Sequence, residues 1–173
     1  NLPDQTRETI DPDGWLHTGD IGELDAEGYL RIVDRKKEII INANGKNMSP
    51  ANIEARIKAS SPLIGQAAVV GDRRPYNVAL LVLDPDGAMA FCKARGIDAP
   101  LAQLVEHPAI REVVAAAIDA ANGHLSRVEQ VKHWTLLGAE WLPGGDELTP
   151  TMKLKRKAIS AKYADVIASM YES

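Results

Sequence analysis

After His107-Pro108 the residues Ile110, Val113, Val114, Ala117, Ile118, Ala121 and Leu125 recur at three- and four-residue spacing. That period predicts an amphipathic helix with one buried face. Two short aliphatic runs elsewhere, "QAAVVG" and "NVALLVLD", are bounded by "GDRRPY" and Pro85. Their β-branched content predicts adjacent strands, and the short connection between them predicts antiparallel pairing.

The rest of the chain extends this pattern. "IGELDAEGYLRIVDR" alternates apolar and polar residues on both sides of Asp25-Ala26-Glu27-Gly28, which predicts two strands joined by a Gly-containing turn. A strand is expected over Glu38 to Asn42, ending at Asn44-Gly45. Ser49 then caps a helix with Pro50 at its first position and Ile53 and Ile57 on its buried face. A short helix is expected from Asp86 to Arg95, closed by Gly96. "QVKHWTLL" returns to strand character and "GAEWLPGGDE" reads as loop. The last helix is expected to start near Lys155 and to carry Ile159, Tyr163, Val166, Ile167 and Met170 on one stripe. The fold class is therefore α+β: a short central β-sheet flanked by helices, preceded by a two-stranded hairpin. The opening "NLPDQTRETIDPDGW" is polar, with no apolar periodicity before Trp15. It reads as the tail of a preceding segment, so the chain is expected to be a fragment.

Composition sets outer limits. The chain has 173 residues, 45% apolar and 25% charged, a balance that builds a core in one or two domains. A formal charge of −4 gives no reason to expect a nucleic-acid partner. The single cysteine, Cys92, excludes an internal disulfide and fits a reducing compartment. No apolar run of about 18 residues is present to span a membrane. The four histidines are dispersed in sequence, so no zinc site is expected.

Three stretches sit at breaks in regular structure, where ligand contacts concentrate. They are "HTGD" at His17–Asp20, "VDRKKEI" at Val33–Ile39, and "LTPTMKLKR" at Leu148–Arg156. Each alone has an ordinary reading. An Asp after Gly commonly bonds its own backbone; three cations between strands make a solvated turn; a basic run is wet surface.

In sequence order they carry more. "DGWLHTGDIGELDAEGYLRIVDRKKEIIINANGKNMSPANIE" resembles the C-terminal region of the adenylate-forming enzymes, the superfamily of acyl-CoA synthetases, luciferases and peptide-synthetase adenylation domains. The resemblance continues through "VEQVKHWTLL" and "ELTPTMKLKR". Within that superfamily, "LTPTMKLKRK" and the helical insert between Asp84 and Val131 are similar to long-chain fatty acyl-CoA synthetases. Relatives acting on shorter or aryl acids usually have Gly before the late lysine, where this chain has Met152. The resemblance implies a two-step ligase reaction. A fatty carboxylate attacks the α-phosphorus of MgATP to give acyl-adenylate and pyrophosphate, and coenzyme A then takes the acyl group and releases AMP. It also implies a division into residues 1–35, the end of a large N-terminal domain with its hairpin, and residues 36–173, a mobile C-terminal lid.

Site roles follow by the same resemblance. Asp20 corresponds to an Asp that accepts both ribose hydroxyls, and Arg35 to an Arg that approaches the nucleotide. Lys37 stands at the hinge on which the lid turns. Gly45 lies in the loop that admits the pantetheine arm, and Lys46 beside it reads equally as a surface lysine. Lys153 corresponds to the adenylation lysine, whose ammonium stabilises charge developing on the α-phosphate. Lys155, Arg156 and Lys157 are expected mainly as a solvated face at the start of the last helix, with a coenzyme A phosphate contact as the lesser reading. Mg2+ would be held by the N-terminal domain, and no metal site is expected in this chain. The partners implied are the chain's own N-terminal domain, fatty acid, ATP and coenzyme A. The setting implied is cytoplasmic, with peripheral membrane contact left open, and the fragment alone is expected to be inactive. Two alternatives remain: a fatty acyl-AMP ligase that serves a carrier protein, and a non-catalytic binding module.

Overall fold

The computed structural model describes residues 3–36 and 38–172. The chain divides into two compact units, Asn1–Ile39 and Ile40–Ser173.

The first unit contains helix α1 (Pro3–Thr9) and an antiparallel pair, β1 (Asp20–Leu24) and β2 (Leu30–Arg35). Helix α1 was not expected from the sequence, because seven mainly polar residues have no apolar stripe to announce a helix. Among the residues of this unit whose side chains are described, none is buried. Trp15, Leu24 and Tyr29 are each more than 70% exposed, so the hairpin stands on its backbone hydrogen bonds and turn chemistry rather than on a core of its own.

The second unit holds the core. A short pair, β3 (Ile40–Ile41) and β4 (Asn47–Met48), leads into α2 (Pro50–Ser60). The Ser49 hydroxyl accepts the Asn52 N–H at 3.1 Å, as a serine N-cap should. The expected strand over 38–42 shrinks to Ile40–Ile41 because the Asn42 side chain bonds the backbone ahead of it and turns the chain. Strands β5 (Ile64–Val70) and β6 (Asn77–Leu83) pair antiparallel, as the short connection required. After α3 (Pro85–Arg95), α4 (Leu101–Leu104) and α5 (Pro108–Gly123), strand β7 (Val131–Leu137) returns parallel to β6. The sheet order is thus β5-β6-β7, with β6 central and buried along its whole length.

Alternation along β6 builds two apolar layers. Ala79, Leu81 and Leu83 face a cluster containing Ile53, Ile57, Ile110, Val114 and Ile118 from α2 and α5. Val78, Leu80 and Val82 face Trp141, Leu148, Ile159, Ile167 and Met170. Asn77 at the head of β6 donates to the Val128 and Glu129 carbonyls at 3.1 and 3.0 Å, which ties the strand to the turn that feeds β7. The last helix is two pieces, α6 (Arg156–Lys162) and α7 (Ala164–Ser169), broken at Tyr163. Its expected stripe survives the break, with Ile159, Ile167 and Met170 buried.

Candidate functional site

Four turns among the described residues share one hydrogen-bond pattern. They are Asp11–Trp15, Asp25–Tyr29, Asn42–Lys46 and Thr149–Lys153. In each, the first residue's carbonyl accepts the fourth residue's N–H, and its own N–H donates to the fifth residue's carbonyl. Its side-chain oxygen accepts the fifth residue's N–H, at 2.8–3.0 Å. The fourth residue is left-handed in every case: Gly14 at φ +86, Gly28 at +88, Gly45 at +74 and Met152 at +64. A short Asp, Asn or Thr side chain stands in for a backbone acceptor, and the left-handed residue closes the loop. Two of these turns present sequence-predicted site residues.

Asp20 and Arg35 face each other at the open end of the β1–β2 hairpin as a cross-strand pair. The Arg35 Nε lies 3.2 Å from Asp20 Oδ1, with 28% of the Asp20 side chain and 63% of the Arg35 side chain exposed. Thr18 Oγ1 accepts the Asp20 N–H at 3.1 Å, so the backbone demand of the turn is met by Thr18 and the carboxylate is left for Arg35. The turn therefore does not consume the Asp20 side chain. Lys37, the sequence-predicted hinge, lies outside the described residues.

Lys153 occupies the fifth position of the Thr149 turn. Its backbone is held on both sides, by Thr149 Oγ1 and by the Thr149 N–H, while the residue is exposed. No described residue pairs with its ammonium. The base of the turn is rigid. Leu148 bridges to Leu154 and is fully buried in the second apolar layer. Buried Glu147 accepts from Lys162 Nζ at 2.7 Å and from the Tyr163 hydroxyl at 3.1 Å, and that hydroxyl accepts Trp141 Nε1–H at 3.1 Å. An exposed cation thus sits on an anchored stem.

Its neighbours differ from one another. Lys155 stands just before α6 without a side-chain cap bond and donates to the Gly145 carbonyl at 2.8 Å, and Lys157 is exposed. Arg156 is not part of a solvated face. It donates two hydrogen bonds, of 2.6 and 2.8 Å, to the Glu54 carboxylate, whose side chain is 6% exposed. The same carboxylate accepts the Val69 N–H at 2.8 Å. Burial pushes the Glu54 carboxyl up from its ordinary pKa, and Arg156 pulls it back. The expectation failed because the partner is about a hundred residues away, beyond the reach of any local pattern.

Gly45 and Lys46 form the tip of the Asn42 turn, with Lys46 exposed and its backbone N–H on Asn42 Oδ1. Asn42 and Asn44 of this turn also line a cavity of about 610 Å³, together with Tyr76, Arg127, Lys132 and His133. The His133 ring lies 5.4 Å from that of Tyr76. The sequence reading missed these basic residues, because one comes from the turn before β7 and two from the strand itself.

The family model for the C-terminal domain of AMP-binding enzymes matches residues 37–173. The chain belongs to this family. Among curated relatives, the chain is 53% identical over 171 residues to a Mycobacterium tuberculosis protein that carries the name fatty-acid–CoA ligase fadD11. The match covers 99% of this chain and 30% of that protein. A long-chain-fatty-acid–CoA ligase of Bos taurus is 39% identical over 190 residues, covering 99% of this chain and 26% of its own length. The chain thus spans under a third of the length of these relatives. Among solved structures, the adenylation domain of a Mycobacterium chelonae carboxylate reductase superposes with a TM-score of 0.79 at 21% identity, over 100% of this chain and 25% of that one. The A domain of a Segniliparus rugosus carboxylic acid reductase, in complex with AMP and a carboxylic acid, gives 0.78 at 22% identity, over 99% and 26%. These two establish the shared fold. Asp20 and Arg35 lie in the first unit, ahead of the matched residues, and Gly45, Lys46 and Lys153 lie in the second, within them.

Proposed function

We propose that this chain is the C-terminal part of a long-chain fatty acid–CoA ligase that forms AMP, with the second unit acting as its mobile lid. The observation that carries the reading is Lys153: an unpartnered ammonium on a pinned, exposed turn, in a domain 53% identical to a protein named fatty-acid–CoA ligase.

In the adenylation step a carboxylate approaches the α-phosphate of ATP, and negative charge grows on the phosphate oxygens. The Lys153 ammonium stabilises that charge where it develops, and the hydrogen bonds holding its backbone reduce the reorganisation needed on closure. Asp20 accepts the ribose hydroxyls through its two oxygens, and Arg35 holds that carboxylate oriented while reaching toward the same nucleotide. Lys37 serves as the hinge about which the lid turns for the second step. The Gly45 turn then faces the pantetheine arm, with Lys46 at its rim. The adjoining cavity with Arg127, Lys132 and His133 suits the phosphates of coenzyme A. The magnesium ion that accompanies ATP would be held by the N-terminal domain; among the described residues no group of three or more His, Cys, Asp or Glu side chains could hold a metal ion.

The exposed apolar side chains of the hairpin unit, Trp15, Leu24, Tyr29 and Leu30, support its assignment to the edge of a larger N-terminal domain that would cover them. Fatty acid and ATP would be bound chiefly by that domain, and the isolated chain would be inactive. The setting proposed is cytoplasmic; among the described residues no helix is long and apolar enough to cross a membrane.

The test is Lys153→Ala in the full-length enzyme. Adenylation should fall by about a hundredfold to thousandfold, the cost of one preorganised donor, while transfer from supplied acyl-adenylate to coenzyme A persists. Equal loss of both half-reactions would contradict the role given to Lys153.

A further inference from the structure

We infer that Met152 is a positioning residue for the adenylation step, whose side chain packs against apolar surface of the N-terminal domain when Lys153 enters the site; this rests on the function proposed above. The argument begins with the four matching turns. At Gly14, Gly28 and Gly45 a Cβ would meet nothing within 4 Å, so glycine stands there for its backbone freedom and not for lack of room. The fourth turn has the same hydrogen bonds and the same left-handed residue, yet carries Met152 at φ +64. A side chain in that conformation is strained, because its Cβ crowds the following carbonyl. The only other non-glycine residue at positive φ among the described residues, Arg73, has its side chain 3.8 Å from Asp72 and its N–H on the Ile41 carbonyl. The Met152 N–H is bonded too, to the Thr149 carbonyl, but among the described residues its side chain has no charged partner. It is 49% exposed and joins neither apolar cluster.

A strained backbone and an unburied thioether side chain together leave its gain to be made outside these residues. The side chain precedes Lys153 directly, so any surface that receives the ammonium comes within reach of Met152. A flexible, unbranched side chain suits packing against such a surface in one of two arrangements and release in the other. Met152 thereby biases the lid toward the arrangement in which Lys153 acts.

The experiment compares Met152→Gly and Met152→Leu in the full-length enzyme, reading pyrophosphate release for adenylation and transfer from supplied acyl-adenylate to coenzyme A. Met152→Gly should lower adenylation by about tenfold, the effect of withdrawing one buried apolar side chain, and leave transfer unchanged. Met152→Leu should restore adenylation, since leucine keeps an apolar side chain of similar volume. Adenylation by Met152→Gly equal to or above the parent rate would overturn the inference, and so would parallel loss of both half-reactions. Failure here with Lys153→Ala still blocking adenylation rejects the role of Met152 alone; loss of the Lys153 effect rejects the proposed function itself.

Discussion

The Arg156 guanidinium closes on the Glu54 carboxylate with hydrogen bonds of 2.6 and 2.8 Å, joining the first residue of α6 to the middle of α2. Because Glu54 also takes the Val69 N–H, one carboxylate ties helix, strand and C-terminal helix together. Helix α6 begins only three residues after Lys153. The pair therefore fixes the far side of the stem that presents the ammonium, just as Glu147 and Leu148 fix the near side.

Breaking that pair should be costly. Arg156→Met leaves a buried carboxylate without its cation, which destabilises the chain by about 3 kcal/mol. Urea unfolding at neutral pH measures it, and Arg156→Met combined with Glu54→Gln should recover much of the loss.

The same pair sets a pH dependence. Burial raises the folded pKa of Glu54 above its ordinary value of 4.5. The folded state then holds this proton more tightly than the unfolded state, so the contribution to stability is full below about 4.5 and is lost as pH rises through the folded value. Arg156 opposes the rise. Arg156→Met should therefore lose more stability than the parent between mildly acidic and neutral pH, and Glu54→Gln should remove that difference. Unfolding free energies across that range provide the comparison.

Met152→Gly should stabilise this chain even where it impairs catalysis. Relief of left-handed strain is worth about 1 kcal/mol, and the extra freedom of an unfolded glycine takes back roughly half of that. A net gain of about 0.5 kcal/mol in chemical unfolding is expected.

Gly71→Ala should destabilise, for a reason of space. A Cβ at Gly71 would run into the Asn77 amide oxygen, in a side chain already held by its hydrogen bonds to the Val128 and Glu129 carbonyls. Overpacking of this kind costs about 1–3 kcal/mol, read as a lowered unfolding midpoint.

Asp20→Ala in the full-length enzyme should raise the KM for ATP by about tenfold, the order expected for losing charge-assisted hydrogen bonds to one ligand. Steady-state kinetics with varied ATP checks it, and the unfolding stability of the second unit should not change.

Much of this was legible along the chain. The 3.6-residue repeat from Ile110 to Leu125 announced α5, Ser49-Pro50 announced the start of α2, and "QAAVVG" with "NVALLVLD" announced an antiparallel pair. The motif order around Asp20, Arg35 and Lys153 pointed to the adenylate-forming enzymes, and the family match agrees. Each of these signals is local: a repeat, a cap, a short loop, a run of motif residues. Of the four turns, the Gly-containing turn at Asp25–Gly28 and the break at Asn44-Gly45 were legible, while the turns at Asp11 and Thr149, with Met152 left-handed, came only from the structure.

What tertiary structure alone decided involves residues far apart in sequence. The parallel return of β7, the pairing of Arg156 with Glu54 and the gathering of Arg127, Lys132 and His133 beside the Asn42 turn depend on how the sheet and helices stack. Sequence determined which residues could bond their neighbours, because backbone geometry over five residues is nearly closed by chemistry. It could not determine which charge would be buried against which, since that balance of desolvation and pairing exists only once the chain has folded.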